Sequence, residues 1–452
     1  MAFCIKIPVI YNLTENAIIH KDSDLTSHVS LFMHQQKSLS SMLSLFLVLF
    51  IDGMGLGLLF PILNTILIDP QAGFLSPNLS MGLRDFLYGL TIGVFMICWF
   101  FGAAILGDLS DSVGRKKSLM ICLVGSFLGY FISAIAILTH SFTLLLIGRI
   151  IAGFTAGSQP IAQAAIVDVS SEEQKARNIG LILLSVSLGF VFGPIFGGLL
   201  SNERLVSWFS FETPMYFAAG LSLFNAIFLH LTFRETFVKA HDKIQVRWHH
   251  AVNIFISAFK QASIKKYSVV LLIMIFGWSN YFSFISLYLL QTYQYSALEN
   301  SFFLAVMGIG FSIGCGYLVN VCTRHFSLDG TVISGLLVTA SLVMMTLLGK
   351  QQWVAWVATL LIGMSLSVAY SVLLTIFSNQ VNDDQQGWVM GVTGSIMALC
   401  FGLTSIFTGI IAHVGAVLPM LLAALGLGGS ATLLFLFKRG DFQRSRKEML
   451  QP

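Results

Sequence analysis

Two charged residues stand inside long apolar segments of the sequence. Asp52 lies in the apolar run 39–67, and Arg149 lies in the run 142–168. A charged side chain at the centre of a bilayer costs roughly 2.5–3.5 kcal/mol on insertion scales, so such residues usually serve ion or substrate pathways. At 1.5 Å per helical residue, Asp52 would lie roughly 17–20 Å above its helix start, and Arg149 about 10 Å below the other face of a ~30 Å core. These similar depths predict a direct ion pair or a shared aqueous cavity. The alternative is a buried ion pair that only fixes helix packing.

The segment 107–119 combines glycines, acids and a basic cluster: GDLSDSVGRKKSL. Gly107 and Gly114 suit the corners of a tight turn, and the basic residues favour the cytoplasmic side of a membrane. Asp111 needs a partner, which could be Arg115 one helical turn later or the free amides at the start of a neighbouring helix. Because a purely topological signal needs no acid, we expect this loop to act as a gating latch.

A third segment, 189–198, is rich in small residues and contains a proline. Glycines four residues apart let membrane helices approach closely, and an internal proline bends a helix by removing a backbone hydrogen bond. A packing face is the simpler interpretation of this segment. The residues concerned are Gly189, Gly193, Pro194, Gly197 and Gly198.

The elements that must position these residues are membrane helices. Of 452 residues, 56% are hydrophobic and 10% are charged, against roughly 25% charged in soluble domains. A soluble helical protein would alternate apolar and charged faces, and barrel strands are about ten residues long, so neither class fits. The fold class is therefore all-α and integral to a membrane. The twelve predicted spans are 39–67, 86–107, 117–139, 142–168, 178–201, 213–233, 267–291, 301–323, 330–349, 353–378, 387–412 and 414–437. The charged residues between 267 and 437 all fall in predicted loops: Glu299, Arg324, Asp329, Lys350, Asp383 and Asp384.

The distribution of Lys and Arg predicts the orientation. With both termini in the cytoplasm, the outside loops hold only Arg84, Arg204 and Lys350, which is a strong positive-inside bias. The predicted organisation is a cytoplasmic tail (1–37), a first six-helix lobe (38–233), a cytoplasmic central loop (234–266), a second six-helix lobe (267–437) and a C-terminal cytoplasmic tail (438–452). The net charge of +4 reflects this topology and gives no reason to expect nucleic-acid binding.

The central loop contains an apolar periodicity. Trp248, Val252, Phe255 and Phe259 would share one face of a helix lying on the membrane surface. A plain linker is the alternative.

An internal repeat relates the two predicted lobes. Residues 171–180 (SEEQKARNIG) align without a gap with residues 382–391 (NDDQQGWVMG), at a constant offset of 211 positions. Both segments join the fourth helix of a lobe to the fifth, so the second half copies the first in parallel. Parallel six-helix repeats are typical of transporters.

Other reactive residues are sparse. The six cysteines show no metal-ligand spacing, and His249 and His250 have no cysteine or carboxylate beside them in sequence, so we expect no metal site. Paired catalytic groups at a common depth are also not found, which argues against an enzyme. Asn280, Tyr281 and Tyr370 are polar or aromatic groups in apolar helices. They could line a substrate cavity or simply pack helices together.

These residues carry a family resemblance. The segment 107–119 resembles motif A of the major facilitator superfamily, departing at Ser112, where the family usually has Arg. The segment 148–153 (GRIIAG) resembles motif B, and 189–198 resembles the antiporter motif C. With the DGMGLG sequence at 52–57 and Asp168 before the next loop, the pattern is most similar to tetracycline/proton antiporters and related drug exporters. The resemblance covers most of the first lobe and, in the second lobe, mainly residues 382–391.

The resemblance implies residue roles. Asp52 would lie in the central cavity and Arg149 would support proton coupling, while Asp111, Arg115 and Asp168 would form a cytoplasmic charge latch against the eleventh helix. The segment 320–329 retains only Arg324 of motif A, and 400–409 lacks a second motif C. No acid lies within helices 7–12, unlike in tetracycline exporters, which argues against tetracycline as the substrate.

The expected function is proton-coupled export of a small, partly apolar compound such as a drug, siderophore or metabolite by alternating access. A proton-coupled uptake symporter is one alternative, because fold does not fix direction. A non-transporting membrane receptor is another. The expected partners are the substrate, protons and the lipid bilayer. We expect no cofactor, and the proton gradient would be the energy source. The protein is expected to be a monomer in the inner membrane.

Overall fold

The computed structural model describes residues 18–170, 172–235, 249–349, 351–382 and 385–449. Within these ranges the chain folds into fifteen α-helices, with a π-helical segment at Gly314–Leu318 and two 3-10 turns at Pro70–Ala72 and Ala412–Val414. The helices are α1 Ile18–Ile68, α2 Met81–Val113, α3 Arg115–Leu138, α4 Phe142–Thr155, α5 Ser158–Asp168, α6 Glu172–Leu200, α7 Thr213–Thr232, α8 His250–Lys260, α9 Ala262–Tyr293, α10 Ala297–Ile313, α11 Val319–His325, α12 Leu328–Leu348, α13 Gln352–Asn379, α14 Gln386–Ile411 and α15 Val417–Met449.

In this part of the chain, twelve helical spans are long and apolar enough to cross a membrane. Three of them are composite: α4 and α5 form the fourth span, α10, the π-helical segment and α11 form the eighth, and α14 with the 3-10 turn Ala412–Val414 forms the eleventh. The predicted fold class and number of spans are confirmed.

Several helices extend beyond their predicted bounds. Helix α1 begins at Ile18, inside the predicted tail, in a stretch without Gly or Pro to break it. Glu299 and Asp329 were placed in loops, but they lie in the first turns of α10 and α12, where carboxylates are favoured by the helix dipole. Arg324 likewise lies in the last turn of α11, which suits a cation.

The packing of the helices repeats between the lobes. In the first lobe, α3 packs against α4 and α7, and α2 packs against α4. In the second lobe the equivalent spans pair in the same way: α12 packs against α13 and α15, and α10 packs against α13. The same pairing in the same chain order is the relation expected of parallel repeats. The acidic positions of the aligned loops lie outside the described residues or have undescribed side chains.

The lobes meet mainly through α2 against α14 and α6 against α10. The Tyr88 hydroxyl donates a 2.6 Å hydrogen bond to the Ser283 carbonyl, and the Asn64 amide donates one of 3.0 Å to the Ser286 carbonyl. Glycines allow α2 and α14 to cross closely in the same region: Gly89, Gly93, Gly402 and Gly409. All these contacts lie away from the Gly114 turn, so the lobes are joined at the end opposite that turn. We call the Gly114 end the basic end.

Candidate functional site

Asp52 lies on α1 and is hydrogen-bonded to the fourth span. The Ser158 hydroxyl donates to Asp52 Oδ2 over 2.7 Å. Ser158 is the first residue of α5 and is 1% exposed, and Asp52 is half-buried. The span breaks just before Ser158 because Pro160 lacks the N–H that would continue the helix. The break therefore brings a hydroxyl donor to the acid.

Arg149 lies on α4 and contacts a different group. Its guanidinium carbon lies 4.1 Å from the centroid of the Phe95 ring, a cation–π distance. Arg149 is 4% exposed, and its Nε has no hydrogen-bond partner among the described residues. A buried guanidinium with an unused donor is costly, which marks Arg149 as a functional candidate.

Of the two arrangements predicted for Asp52 and Arg149, a direct ion pair or a shared aqueous cavity, this conformation does not show the direct pair. In the described part of the chain, neither a hydrogen bond nor an ion pair joins them. Ser158, the residue that reaches Asp52, follows Arg149 by about two and a half helical turns. Tyr130 on α3 is close enough to interact electrostatically with both groups. Its hydroxyl fills the space beside Gly55, one turn after Asp52.

The segment 107–119 forms a charge network at the basic end. Arg115 Nη1 lies 2.6 Å from Asp111 Oδ1 and 2.9 Å from the Ser110 hydroxyl, and Arg115 Nε lies 3.3 Å from Asp168 Oδ2. Arg115 thus bridges α2 and α5, so the three charged residues that the resemblance grouped as a latch lie together. Their gating function stays a prediction.

The turn between α2 and α3 is tighter than expected. Helix α2 continues to Val113, so Gly107 lies inside it rather than at a corner of a loop, which corrects the prediction. Gly114 alone makes the turn, with φ of 103°, a value that favours glycine. Glu235 caps α3 by accepting from the backbone N–H of Arg115 at 2.9 Å and of Lys116 at 3.1 Å.

The resemblance implies that Asp111 takes part in a latch against the eleventh span, which begins with α14. In the present conformation the Asp111 side chain is 64% exposed beside Arg115. Helix α5 packs against α1, α2, α3 and α6, all from its own lobe. The contact of the latch residues with α14 therefore stays a prediction for another conformation of the protein.

The glycines of 189–198 pack α6 onto the helix that carries Asp52. A Cβ at Gly189 would lie 2.7 Å from the Met54 nitrogen, and one at Gly193 would lie 2.5 Å from the Met54 carbonyl oxygen. Gly197 faces the Leu58 backbone, and Pro194 packs against Gly57. Gly198 instead faces Ser301 of the other lobe. The segment is thus a packing face that fixes the height of Asp52 relative to α6.

Helix α8 of the central loop lies between the lobes. Its residues Ala251 and Phe255 cluster with Phe100 of α2 and Ala398 of α14. The Phe255 and Phe100 ring centroids are 6.4 Å apart. Of the predicted apolar face, Phe255 and Phe259 are packed and Val252 is exposed, because the small Ala251 and Ala258 allow the closer approach. Trp248 lies outside the described residues.

His250 has a carboxylate partner that its sequence neighbours did not reveal. Its Nδ1 lies 2.7 Å from Asp108 Oδ2, on α2. The pair is partly exposed. It connects α8 to α2 of the first lobe at the basic end.

The residues proposed to line a substrate cavity differ in exposure. Asn280 is fully buried, and its amide oxygen accepts from Thr408 over 2.7 Å. Tyr281 is fully buried against Thr359. Tyr370 is half-buried, with its hydroxyl 3.6 Å from Met397 sulfur. In this conformation Asn280 and Tyr281 contact neighbouring helices, and Tyr370 retains an exposed surface.

Sequence reasoning missed two buried charges, Arg84 and Asp85. Arg84, predicted in an outside loop, is fully buried in the first turn of α2 and donates to the carbonyls of Leu67 and Ser76 at 3.2 and 2.8 Å. Arg84 thereby supplies a hydrogen-bond donor to a free backbone carbonyl at the end of α1. Asp85 is 1% exposed. Ser80, which caps α2 by accepting from Leu83 N–H at 3.3 Å, was the sequence signal for the earlier helix start.

Comparisons with known proteins give a consistent result. The profile of the Major Facilitator Superfamily matches residues 45–404. The class C tetracycline resistance protein of Escherichia coli is 27% identical over 350 residues, covering 75% of this chain and 86% of that protein. The quinolone resistance protein NorA of Staphylococcus aureus strain MRSA252 is 22% identical over 402 residues, covering 87% and 95%. The fold resembles the partially occluded inward-open xylose transporter XylE from E. coli, with a TM-score of 0.68, 15% identity and coverage of 89% and 98%.

Proposed function

The chain belongs to the Major Facilitator Superfamily, and we propose that it exports a small, partly apolar compound in exchange for protons. It is a multi-pass membrane transporter of small molecules and not an enzyme. Export, proton coupling, the inner membrane as location, cytoplasmic termini and a monomeric state are parts of the proposal. The proton gradient would supply the energy, with no cofactor.

The observation that carries the proposal is the environment of Asp52. This carboxylate is half-buried on a membrane span, and its described hydrogen-bond partner is the neutral hydroxyl of Ser158. A carboxyl group in such a place is either ionised, which costs free energy, or protonated and therefore neutral. If the cavity faces each side in turn, Asp52 accepts a proton from one side and releases it to the other.

A cluster of aromatic rings supports a partly apolar substrate. Phe190 of α6 stacks on Phe311 of α10 across the lobe interface, with centroids 6.4 Å apart, and Trp278 of α9 lies 5.9 Å from Phe311. All three rings are half-buried. Gly189, next to Phe190, packs against the α1 backbone beside Asp52, so the aromatic cluster lies at the level of the acid. Aromatic faces bind apolar and cationic groups.

The relatives support export rather than uptake. Two of the matched proteins are named for resistance to tetracycline and quinolones. The test is an export screen with dyes, antibiotics and siderophores in host cells, with and without the proton gradient. Gradient-dependent loss of a compound from cells expressing the chain supports the proposal, and gradient-driven accumulation would indicate a symporter instead.

A further inference from the structure

Helix α5 touches the buried acid with one end and the basic-end charge network with the other. Ser158, its first residue, donates to Asp52 over 2.7 Å, and Asp168, its last residue, lies 3.3 Å from Arg115 Nε. Eleven helical residues span about 15 Å without a flexible joint. One rigid element therefore connects the two sites.

The break before α5 separates it mechanically from α4. Helix α4 is fixed on α3, since a Cβ at Gly129 would lie 2.7 Å from the Ala152 nitrogen. At the break, Gly157 lies so close to α2 that a Cβ there would be 2.8 Å from the Gly102 carbonyl carbon. Because Pro160 interrupts the backbone hydrogen bonding, α5 can tilt while α4 stays in place.

The bond from Ser158 depends on the charge of Asp52. A hydroxyl that donates to a carboxylate forms a charge-assisted hydrogen bond, roughly twice as strong as one between neutral groups. When Asp52 takes up a proton to become a carboxylic acid, this assistance is lost. The start of α5 is then held less firmly against α1.

The other end of α5 is held by a shared cation. Arg115 contacts both Asp111 of α2 and Asp168 of α5. If α5 tilts, Asp168 moves relative to Arg115, while Asp111, one turn from Arg115, remains in reach. The balance of charge in the proposed latch then changes.

We propose that Ser158 is a positioning residue that links the protonation of Asp52, through α5, to the network of Asp111, Arg115 and Asp168. This inference rests on the proposed proton coupling, which it extends by a route from the acid to the gate.

The surroundings of Asp52 leave Ser158 as the group best placed for this function. Among the residues that the structure describes, Cys122 and Tyr130, both on α3, are titratable groups that interact with Asp52. Arg149 of α4 interacts with Tyr130. Helix α6 presents the backbone of Val186 and Gly189 to this part of α1. Among these neighbours, Ser158 is the one that joins Asp52 to α5.

The test is a double-mutant cycle read by hydrogen–deuterium exchange of full-length protein in lipid nanodiscs at one fixed pH. We compare wild type, Asp52→Asn, Ser158→Ala and the double variant, following the amides of residues 162–168. Ser158→Ala should increase exchange about fivefold, the scale of one lost hydrogen bond. Asp52→Asn should increase it about twofold, because the neutral amide still accepts a hydrogen bond but without the charge assistance. The double variant should equal Ser158→Ala. Ser158→Thr, which keeps the hydroxyl, should restore the wild-type rate.

Ser133→Ala is the matched control, because Ser133 is a buried serine of the same lobe whose hydroxyl donates to the Gly129 carbonyl of its own helix. It should leave α5 exchange unchanged. If Ser158→Ala increases exchange equally in the Asp52→Asn background, Ser158 only packs α5 and the proposal is overturned. Unchanged exchange in Ser158→Ala overturns it too. If the Thr variant does not fold, the cycle alone decides. Proton-driven transport is measured separately in wild type, so failure of the proposed function is distinguishable.

Discussion

His250 Nδ1 and Asp108 Oδ2 lie 2.7 Å apart although 142 positions separate them in sequence. The pair ties α8, which precedes the second lobe, to α2 of the first lobe. Beside it, Phe255 packs on Phe100. Helix α8 therefore spans the lobe interface on the basic side, where motion between the lobes must open and close the site.

Breaking this pair should loosen α8 without unfolding the lobes. His250→Ala removes a partly exposed polar contact with Asp108, and surface contacts of this kind typically contribute about 0.2–1 kcal/mol. Hydrogen exchange of residues 251–260 should rise up to about fivefold on that scale. His249→Ala, at the exposed neighbouring position, is the control and should have no effect. Equal effects of the two variants would show that the contact with Asp108 does not hold α8.

Gly114→Ala should destabilise the protein, whereas Gly107→Ala should not. Gly114 has φ of 103°, and a Cβ there would meet the Glu235 carboxylate. Forcing a side chain into this region costs on the order of 1–3 kcal/mol. Gly107 lies inside α2, and a Cβ added there would have no other atom within 4 Å. Alanine at this position should therefore be neutral or should stabilise the protein by up to about 1 kcal/mol. Thermal unfolding in detergent checks both. Similar melting temperatures for the two variants would contradict the one-residue turn.

Gly189→Ala should separate α6 from α1. The added methyl would lie 2.5 Å from the Phe50 carbonyl oxygen and 2.7 Å from the Met54 nitrogen, and backbone atoms cannot rotate away. Overpacking of this kind costs typically 1–3 kcal/mol. Gly180→Ala, on the same helix with open space around it, is the control. A melting temperature for Gly189→Ala as high as that of Gly180→Ala would exclude the close helix contact.

The aromatic cluster should contribute to substrate affinity. Phe311→Ala removes the ring that contacts both Phe190 and Trp278. If the dye stacks on this ring, the lost ring–dye contact of about 0.5–1.5 kcal/mol should raise the Kd of an exported apolar dye by up to roughly tenfold. Phe407→Ala, at a ring that is 64% exposed on the surface of α14, provides the control. Unchanged dye binding in Phe311→Ala would place the substrate elsewhere.

The sequence predicted the helices better than the contacts. Apolar runs report membrane spans directly, because lipid imposes both their length and their lack of charge. Helix ends were less visible: Arg84, predicted in an outside loop, lies in the first turn of α2 and donates to the Leu67 carbonyl at the end of α1 and to the Ser76 carbonyl in the loop that follows. The break in the fourth span was also overlooked, although Gly157 and Pro160 signal it.

The sequence predicted which residues belong to the candidate site, but not which of them contact each other. Arg115 meets Asp111 at the helical spacing that sequence allows, but its contact with Asp168 depends on how α5 packs. The similar depths of Asp52 and Arg149 predict a direct pair or a shared cavity, and they do not reveal the hydrogen bond that Ser158 donates to Asp52. Long-range pairs such as Asp108 with His250 depend on tertiary packing, for which one sequence has no local signal.

Proton-driven transport by Asp52→Asn tests the central claim most directly. Purified wild type and variant are reconstituted in liposomes, and movement of a compound found in the export screen is followed with and without an imposed proton gradient. Asparagine nearly preserves the size of the side chain and removes the titrating group. We expect the variant to fold and insert normally and to lose gradient-driven transport, while exchange of substrate without a gradient can persist. Full gradient-driven transport by Asp52→Asn would contradict the account and would make Asp168 the next acid to test.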